Sequence, residues 1–327
     1  MTILVTGATG FIGTNLVRKL VAQRESVRIM RREWSNLLGL EGLPIEHHIG
    51  DIRDYNSVRE AIKGCKKVYH LAALLKIAPF ERERFHKTNV LGSENMARAA
   101  LEEGIEKMVY TSTIGAVGYG SEDNPATEES EFNLGKFRLP YIDTKRQGEE
   151  IILEYSQKGL PVVVVNPGYV FGPWDKRPGL NQFLTLAAQG KLWFYIGGGV
   201  SVVDVEDVVQ GHLLAMEKGR IGERYILSNQ NVTYKEFMSM ANEFLGKRPP
   251  RVKIPYLLLL FTGYVMEGFG KLFGFNPQLS ARAARFTNIT HYVSSQRARR
   301  ELGYTTTPLA ESFKKTFDWL KEYNAKK

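Results

Sequence analysis

Cysteine is almost absent from this chain, since Cys65 is the single cysteine among 327 residues. One thiol cannot form an intramolecular disulfide framework, and it offers no cluster of thiolate ligands for a metal. The sequence also starts without the basic segment, apolar core and cleavage site of a signal peptide, because a strand-like run begins at Thr2. We therefore expect a cytoplasmic protein, and no metal site.

Low-complexity tracts and internal repeats are lacking as well, which excludes disordered and solenoid classes. Hydrophobic residues make up 43% of the chain and charged residues 24%, as in soluble globular proteins. The net charge is +9, but lysine and arginine are scattered along the chain and no nucleic-acid-binding motif accompanies them. We expect a small-molecule substrate and no nucleic-acid partner.

A hydrophobic run long enough to span a bilayer is missing too. The most apolar segment, residues 254–275, contains an uninterrupted run only at Leu257–Phe261, whereas a membrane span needs about 20 residues. The favoured interpretation is a buried helix or the wall of an apolar substrate pocket. Attachment to a membrane surface is the less favoured alternative, encouraged by the nearby basic residues Arg248, Arg251, Lys253 and Lys271.

Short apolar runs alternate with helix-length amphipathic stretches through the first half of the chain. This rhythm predicts βα units that feed a parallel sheet with helices on both faces. The predicted strands are 3–5, 26–30, 67–71, 108–111 and 162–165, and the predicted helices are 11–22, 56–63, 81–103 and 141–158. The fold class is α/β, a Rossmann-type doubly wound sheet with a smaller C-terminal substrate-binding lobe.

After about Pro173 the rhythm loosens, which places the domain boundary there. Residues 1–173 form mainly the nucleotide-binding domain and 174–327 mainly the substrate lobe, with some elements returning to the first domain. In the lobe we expect short strands at 193–196 and 225–227. A capping-box spacing between Thr233 and Glu236 predicts one helix start, and Thr307-Pro308 predicts another.

A glycine-rich segment lies between the first predicted strand and helix, with the sequence Thr6-Gly7-Ala8-Thr9-Gly10-Phe11-Ile12-Gly13. Glycine allows a tight turn, close approach of a ligand to the main chain, and close helix-to-strand packing. The helix N-terminus presents N–H donors to an anion. The segment predicts a dinucleotide pyrophosphate site made by Gly7, Thr9, Gly10, Phe11, Ile12 and Gly13.

The end of the second predicted strand carries Arg31-Arg32, where NAD-binding proteins commonly place an acidic residue on the adenosine ribose. Guanidinium groups there suit the 2′-phosphate of NADP. We therefore favour NADP(H), with Arg31 and Arg32 as ligands. NAD(H) stays open, because Glu33 follows directly.

Tyr141 and Lys145 are four residues apart in a predicted helix, which sets their side chains on one face. An adjacent cation favours the ionised form of a phenol, so Tyr141 can exchange a proton with a carbonyl or an alcohol. Upstream, Thr111-Ser112-Thr113 ends a predicted strand. A hydroxyl there can face the ligand crevice of an α/β sheet, and Thr111 and Thr113 are the candidates, whereas Ser112 is expected to serve local hydrogen bonding.

These three elements, in this order, resemble the extended short-chain dehydrogenase/reductase family over nearly the whole chain. Further family-like stretches are Gly50-Asp51-Ile52-Arg53-Asp54, His70-Leu71-Ala72-Ala73, Asn89-Val90-Leu91-Gly92, Asn166-Pro167-Gly168-Tyr169-Val170-Phe171-Gly172-Pro173 and Glu301-Leu302-Gly303-Tyr304. Within the family, the chain looks most like the dihydroflavonol-reductase-like branch, which includes hopanoid-associated sugar epimerase-like proteins.

The resemblance implies roles for residues that spacing alone does not assign. It implies that Asp51 and Ile52 lie at the adenine, that Leu71, Ala72 and Ala73 line the path of the cofactor, and that Pro167, Gly168 and Val170 flank the nicotinamide. It also implies that Thr113 binds the reacting oxygen beside Tyr141, and that Lys145 binds the nicotinamide ribose. The catalytic residues are then Thr113, Tyr141 and Lys145.

At two places the chain differs from sugar-nucleotide enzymes of the family it resembles, and both differences bear on the substrate. Ile114-Gly115 stands where dehydratases carry an Asp-Glu pair, and the region 199–207 lacks the arginine that clamps a diphosphate in many epimerases. Arg177 is a possible substitute. Aromatic residues next to the predicted substrate site suit a less polar substrate; they are Tyr169, Phe171 and Trp174. Core packing is nevertheless expected for Phe171, and packing is an equal alternative for Trp174.

The favoured function is therefore NADP(H)-dependent reduction of a ketone or aldehyde, or oxidation of a secondary alcohol, with Tyr141 as general acid/base. Two alternatives stay open: an NAD(P)-dependent epimerase of sugars or nucleotide sugars acting through a keto intermediate, and a regulatory protein that binds NADP without catalysis. A homodimer is possible, since dimers are common in the resembling family.

Overall fold

The computed structural model describes residues 1–75, 81–175, 179–277 and 279–325. Its strands are β1 (Thr2–Thr6), β2 (Ser26–Arg31), β3 (Glu46–Ile49), β4 (Cys65–His70), β5 (Lys107–Thr111), β6 (Val162–Pro167), β7 (Tyr169–Phe171), β8 (Phe194–Tyr195), β9 (Gly199–Asp204), β10 (Arg224–Leu227), β11 (Gln230–Thr233), β12 (Val252–Lys253) and β13 (Thr290–His291).

The α-helices are α1 (Phe11–Ala22), α2 (Tyr55–Ile62), α3 (Arg82–Phe85), α4 (Gly92–Glu102), α5 (Pro140–Gln157), α6 (Leu180–Ala188), α7 (Val205–Lys218), α8 (Tyr234–Phe244), α9 (Tyr256–Phe273), α10 (Ala281–Thr287), α11 (Gln296–Leu302) and α12 (Leu309–Ala325). A π-helical turn at His86–Leu91 joins α3 to α4, and 3₁₀ turns cover Ile114–Ala116 and Gly135–Phe137.

Seven parallel strands form the main sheet, in the order β10-β6-β5-β4-β1-β2-β3. The order runs outward in both directions from β1 and β4, so the chain changes direction across the sheet between these two strands. In open α/β sheets the ligand crevice lies outside the carboxyl ends of the strands at such a switch point. The glycine segment follows β1 directly, which places it at this crevice.

Helices cover both faces of the main sheet, as predicted. On one face, the buried core joins α1, α7 and α11 through Leu16, Val208 and Leu302. On the other, it joins α2, α4 and α5 through residues such as Met96 and Ile152. The strands between them are apolar on both sides, which is typical of a parallel sheet buried between helices. The fold is therefore a Rossmann-type doubly wound α/β sheet.

A second core lies in the later part of the chain, where β7, β11 and β13 pair with β9. Its centre is the ring cluster of Phe171, Phe237 and Phe313, with centroids 5.4 to 5.5 Å apart. The interpretation of Phe171 as a core residue is therefore confirmed. β10 and α7 return to the main sheet, while the boundary at residue 173 stays a prediction.

Most predicted elements of the first half are present, and α1 has the predicted bounds. In the later half, the Thr233 hydroxyl accepts a hydrogen bond from the Glu236 N–H at 3.1 Å, and the Glu236 carboxylate accepts one from the Thr233 N–H at 2.7 Å. The predicted capping box therefore begins α8. The helix predicted after Pro308 is α12, which buries Leu309, Phe313, Phe317 and Leu320.

Several elements differ from the sequence predictions, including three in or beside the main sheet. β3 was not predicted, because Glu46–Ile49 is a mostly exposed edge strand without an apolar pattern. The helix expected at 81–103 is interrupted by the π-helical turn at His86–Leu91. The strand expected at 225–227 belongs to the main sheet as part of β10, because it pairs with β6.

The interpretation of residues 254–275 as a buried helix is wrong. α9 is helical, but most of its large apolar side chains are exposed, among them Leu257 and Phe261. Its buried positions are Gly263 and Gly270, which have no side chain to bury. Tyr256 and Leu259 line a pocket, and its use as a substrate pocket stays a prediction.

Candidate active site

The turn between β1 and α1 leaves no room for side chains at two of its glycines. Gly7 has a φ of +69°, and a Cβ atom built on it would lie 2.6 Å from the main-chain nitrogen of Ala72. A Cβ atom built on Gly13 would lie 2.1 Å from the carbonyl oxygen of Gly7. Both distances are well inside van der Waals contact. The tight turn and the close helix packing predicted for these glycines are therefore present.

α1 begins at this turn without a side-chain cap. The residue before the helix is Gly10, and the first turn contains no acidic residue. Phe11 is buried, whereas Thr9 and Ile12 are partly exposed. The main chain and the partial positive charge of the helix end therefore offer a site for an anion, which fits the pyrophosphate of a dinucleotide.

The two arginines at the end of β2 have different partners. The Arg31 guanidinium donates to Nδ1 of His47 at 2.9 Å and to the carbonyl oxygens of Arg32 and Glu33. Arg32 is exposed, and its guanidinium carbon lies 5.6 Å from the centre of the Trp34 ring. Arg32 is therefore the more accessible of the two for an added phosphate.

Asp51 and Ile52 follow β3 at the same edge of the sheet. The Arg53 guanidinium donates three hydrogen bonds to the Asp51 carboxylate, at 2.6, 3.0 and 3.1 Å. These bonds hold the pKa of Asp51 below its ordinary value, burial opposes them, and Arg32 adds a smaller lowering. Ile52 is buried against Gly92. The Asp51 carboxylate is thus already paired, and it lies close to Arg32.

The loop after β4, with Leu71, Ala72 and Ala73, is held against the glycine turn. The Ala72 N–H donates to the Thr6 hydroxyl at 3.3 Å. Two residues further on, the buried Asn89 side chain bonds both the N–H and the carbonyl oxygen of Leu74, at 2.7 and 3.2 Å. These contacts fix the loop along one wall of the crevice, which is the position the family resemblance implied.

Lys145 is the most deeply buried of the predicted catalytic residues, at 2% exposure. Its ammonium donates hydrogen bonds to the carbonyl oxygen of Thr111 at 2.7 Å and to the Tyr110 hydroxyl at 2.9 Å. Burial lowers the pKa of Lys145 to about 8, although Tyr141 and Glu149 act to raise it. The amine is therefore fixed in place, and its charge changes close to neutral pH.

Tyr141 lies one helical turn before Lys145 on α5 and is partly exposed. Its phenol is close enough to influence the pKa values of both Lys145 and Tyr169. The Tyr169 ring packs edge-on against His291, with centroids 5.7 Å apart. The Tyr141 phenol therefore lies near the buried Lys145 cation and near Tyr169.

Thr113 follows β5 and begins the 3₁₀ turn Ile114–Ala116. Its hydroxyl accepts a hydrogen bond from the Gly115 N–H at 3.2 Å, and its carbonyl oxygen accepts one from the Asn166 side chain at 3.1 Å. A Cβ atom built on Gly115 would lie 3.4 Å from Ile142, the neighbour of Tyr141. The Thr113 turn therefore packs directly on the part of α5 that carries Tyr141.

A buried polar network joins these elements and was not predicted. Asn166 on β6 donates to the Glu149 carboxylate at 2.8 Å, in addition to its bond with Thr113. Glu149 also accepts a hydrogen bond from Arg224 at 3.0 Å. A sequence signal existed for Glu149, because it follows Lys145 by four residues and shares its helix face. Asn166 was visible only as a polar residue at the end of an apolar strand.

A second chain of contacts links Lys145 to the glycine turn. The Tyr110 ring lies 5.6 Å from the His70 ring, centre to centre, and His70 Nδ1 lies 2.6 Å from the Thr6 hydroxyl. Thr6 precedes Gly7. Burial, with a smaller contribution from the charge of Lys145, lowers the pKa of His70 to about 3, so His70 is neutral. The predicted proton-transfer residues and the predicted pyrophosphate turn therefore lie in one crevice.

The hydroxyl of Thr111 points away from this crevice. It lies 2.8 Å from Nε2 of the buried His212 on α7, so only the carbonyl oxygen of Thr111 contacts Lys145. Ser112 is buried at the same strand end. Position along the strand predicted a crevice-facing hydroxyl, but the pleat of β5 turns this side chain to the opposite side.

Pro167, Gly168 and Val170 follow at the end of β6 and the start of β7. A Cβ atom built on Gly168 would lie 2.6 Å from the carbonyl oxygen of Ser201, so glycine is required by close packing on β9. Pro167 is buried and Val170 partly exposed. The segment extends β6 beyond the Asn166 network, on the same side of the sheet as Thr113.

One interpretation of the sequence places Trp174 at the substrate site, but the ring packs elsewhere. Its ring centroid lies 6.1 Å from that of Trp319, and the Arg18 guanidinium carbon lies 4.9 Å from it. Trp174 therefore packs between α1 and α12. Arg177, considered as a phosphate anchor, lies outside the described residues.

A pocket of about 390 Å³ lies beside the N-terminus of α9. Its lining residues are Gly197, Lys253, Ile254, Pro255, Tyr256, Leu259, Ala284, Thr287 and Asn288. α10 connects it with the crevice: Phe286, next to Thr287, packs on His291, which packs on Tyr169. The pocket is mainly apolar, with Lys253 as its cationic residue.

Known proteins resemble the chain along its whole length. The family model described as the NAD dependent epimerase/dehydratase family matches residues 3–228. The chain is 34% identical to sterol demethylase protein B of Methylococcus capsulatus, covering 98% of this chain and 99% of that protein. It is 30% identical to a putative dihydroflavonol 4-reductase of Synechocystis, covering 98% and 94%.

The fold agrees with these sequence matches. A crystal structure of gox2253 superposes with a TM-score of 0.85, at 32% identity, over 98% of both chains. The match of the family model spans the glycine turn, the Tyr141 and Lys145 face of α5, and the end of β6. The chain therefore belongs to the NAD dependent epimerase/dehydratase family, the extended short-chain dehydrogenases/reductases, and is an NAD(P)-dependent enzyme.

Proposed function

We propose that the protein is an NADP(H)-dependent oxidoreductase that reduces a ketone or aldehyde, or oxidises the corresponding secondary alcohol. The observation that carries this proposal is the buried Lys145 ammonium, fixed by Thr111 and Tyr110 and adjacent to the partly exposed Tyr141 phenol. A charge buried without a carboxylate in direct contact is unfavourable unless the site uses it.

Residues around the crevice fit a nicotinamide dinucleotide. The main chain from Gly7 to Gly13 would hold the pyrophosphate, since its glycines leave space and α1 begins uncapped. Asp51, Ile52, Leu71, Ala72 and Ala73 would lie along the adenosine, and Pro167, Gly168 and Val170 at the nicotinamide. When bound, this cofactor supplies or accepts the hydride.

Preference for NADP(H) is supported by the side chains at the end of β2. Arg32 is exposed there, and Arg31 lies beside it. A 2′-phosphate would be matched by these guanidinium groups. The nearby Asp51 carboxylate is paired with Arg53.

Proton transfer is assigned to Tyr141. In reduction its hydroxyl donates a proton to the carbonyl oxygen of the substrate, and in oxidation the phenolate accepts the proton of the alcohol. Lys145 favours the phenolate through its charge. The Thr113 hydroxyl orients the reacting oxygen, and Asn166 holds Thr113 by its main chain.

A largely apolar substrate is favoured over a nucleotide sugar. Many epimerases place a phosphate-binding arginine at the position of β9. Here β9 (Gly199–Asp204) contains no arginine and is buried throughout. The pocket beside α9 is lined mainly by apolar residues. The names of two relatives refer to a sterol and to a dihydroflavonol, neither of which carries a phosphate.

Epimerisation is the rival function, and the stoichiometry of the cofactor separates the two. We expect purified protein with NADPH to oxidise one cofactor per molecule of a sterol ketone or flavonoid ketone reduced, measured by absorbance and by mass spectrometry of the product. Tyr141→Phe should abolish the reaction while leaving the Kd for NADPH within about twofold, and Tyr323→Phe on α12 is the matched control.

Two outcomes would overturn the proposal. Conversion of a nucleotide sugar without net cofactor oxidation would establish an epimerase. Full reductase activity of Tyr141→Phe would show that Tyr141 is not the proton donor.

A further inference from the structure

The outward face of α9 is apolar, the reverse of the pattern on an ordinary surface helix. The large exposed residues on it are Leu257, Leu258, Phe261, Tyr264, Val265, Phe269, Leu272 and Phe273. At about 100° per residue they occupy about half of the helix circumference. Leu257, Phe261 and Leu272 are 74%, 67% and 75% exposed. A contiguous apolar face of this length indicates an interaction surface.

The opposite face fastens α9 to the rest of the protein. A Cβ atom built on Gly263 would lie 2.6 Å from the main-chain nitrogen of Ala281, so α9 and α10 touch main chain to main chain. The Glu267 carboxylate accepts a hydrogen bond from the Ala281 N–H at 3.0 Å. At the edge of the outward face, the Tyr264 hydroxyl accepts one from Arg285. α9 is therefore held along one side.

This attachment distinguishes an interfacial helix from a membrane span. By length and composition alone, α9 is the one helix in the described part of the chain that could cross a bilayer. Crossing would require the helix to leave its contacts with α10 and would bury the Glu267 carboxylate in hydrocarbon. Lying flat exposes only the outward face to lipid and keeps those contacts.

The charges along the segment that contains α9 favour an anionic partner. From residue 248 to residue 288 the chain has six basic residues and one acidic residue, Glu267, which faces α10. The basic residues are Arg248, Arg251, Lys253, Lys271, Arg282 and Arg285. We call these six residues the basic rim. A second copy of the chain would bring two basic rims together, whereas anionic lipid phosphates would neutralise their charge.

We propose that α9 docks on an anionic lipid bilayer and lies in its interfacial plane. The outward apolar side chains enter the boundary between headgroups and acyl chains, while Arg251, Lys253 and Lys271 contact lipid phosphates. The proposal depends on the surface of α9 alone and holds whatever the substrate of the crevice is.

Co-sedimentation of the full-length protein with lipid vesicles tests the proposal. We expect at least about tenfold stronger binding to vesicles of phosphatidylcholine mixed with phosphatidylglycerol than to phosphatidylcholine alone, and weaker binding at high salt. Equal binding to both vesicles, or no binding to either, would overturn it.

Variants locate the binding surface. The triple variant Leu257→Ser/Phe261→Ser/Leu272→Ser should lose at least about tenfold in vesicle affinity, because each change removes an exposed apolar side chain. Ile221→Ser is the matched control, since Ile221 is 48% exposed in the turn before β10. Circular dichroism and thermal unfolding should be unchanged in both, because these side chains are exposed.

The basic rim has its own pair of variants. Arg251→Gln/Lys271→Gln should weaken binding to the mixed vesicles and leave binding to phosphatidylcholine unchanged, whereas Lys66→Gln on β4 should change neither. If the triple variant instead converts a dimer to a monomer in analytical ultracentrifugation and binds vesicles as the wild type does, a second copy covers α9 and the proposal is wrong.

Discussion

The ammonium of Lys145 lies 2.7 Å from the carbonyl oxygen of Thr111 and ties α5 to the end of β5. The contact gives the lysine a fixed position but no counter-charge from its main-chain partner. Burial therefore lowers its pKa to about 8 from the model-compound value of 10.5. A depressed lysine pKa makes folding stability depend on pH in a defined direction.

Between pH 8 and pH 10.5 the unfolded chain binds the Lys145 proton more tightly than the folded protein does. The contribution of Lys145 to the free energy of unfolding should therefore rise with pH across this window, by on the order of 3 kcal/mol in total. Urea unfolding of the wild type and of Lys145→Met at several pH values measures it. The comparison is made below pH 10, because above it the buried tyrosines, whose pKa values are raised, act in the opposite direction. A difference that stays flat would contradict the prediction.

Asn166 is expected to act as a positioning residue for Thr113. Asn166→Ala removes two hydrogen bonds, to Thr113 and Glu149, and should lower the free energy of unfolding by about 1–3 kcal/mol. It should also lower kcat at least about tenfold, with the KM for NADPH within about twofold. The matched control is Asn242→Ala, which also removes two bonds of a buried amide, to Leu192 and Arg248.

Steady-state kinetics at a temperature where both variants remain folded would separate the two effects. Similar kcat values for Asn166→Ala and Asn242→Ala would show that Asn166 serves stability alone.

Gly7→Ala should impair cofactor binding more than the strain of a positive φ alone would. Its Cβ would meet the main chain at Leu71 and Ala72, whereas Gly104 has a φ of +62° and no atom within 4 Å of a built Cβ. Gly104→Ala should cost about 1 kcal/mol of stability and leave the Kd for NADPH unchanged. For Gly7→Ala we expect at least about tenfold weaker NADPH binding in a fluorescence titration. Identical behaviour of the two variants would contradict this account of the turn.

Arg32→Ala should reduce the preference for NADPH over NADH by about tenfold or more, because a charge-assisted contact to the 2′-phosphate is lost. NADH affinity should change little. Arg24→Ala, at an exposed arginine after α1, is the control for the overall charge. The ratio of the two Kd values measures the effect, and an unchanged ratio in Arg32→Ala would indicate that the specificity lies elsewhere.

The local sequence was sufficient to predict an element wherever the contacts that determine it are close along the chain. The glycine turn between β1 and α1, the Tyr141 and Lys145 face of α5, and the capping box of Thr233 each depend on residues within about two helical turns. β3 escaped prediction because an exposed edge strand does not require an apolar pattern. The cytoplasmic location remains a prediction.

By itself, the sequence determined the strand and helix on either side of the glycine turn and the helix that carries Tyr141 and Lys145, because periodicity and spacing act within one element. Only the tertiary structure decided that Asn166 meets Thr113 and Glu149, that the Thr111 hydroxyl turns towards His212, and that the apolar face of α9 points outward. The reason is physical: which surface becomes covered depends on the segments that pack there, and those come from distant parts of the chain.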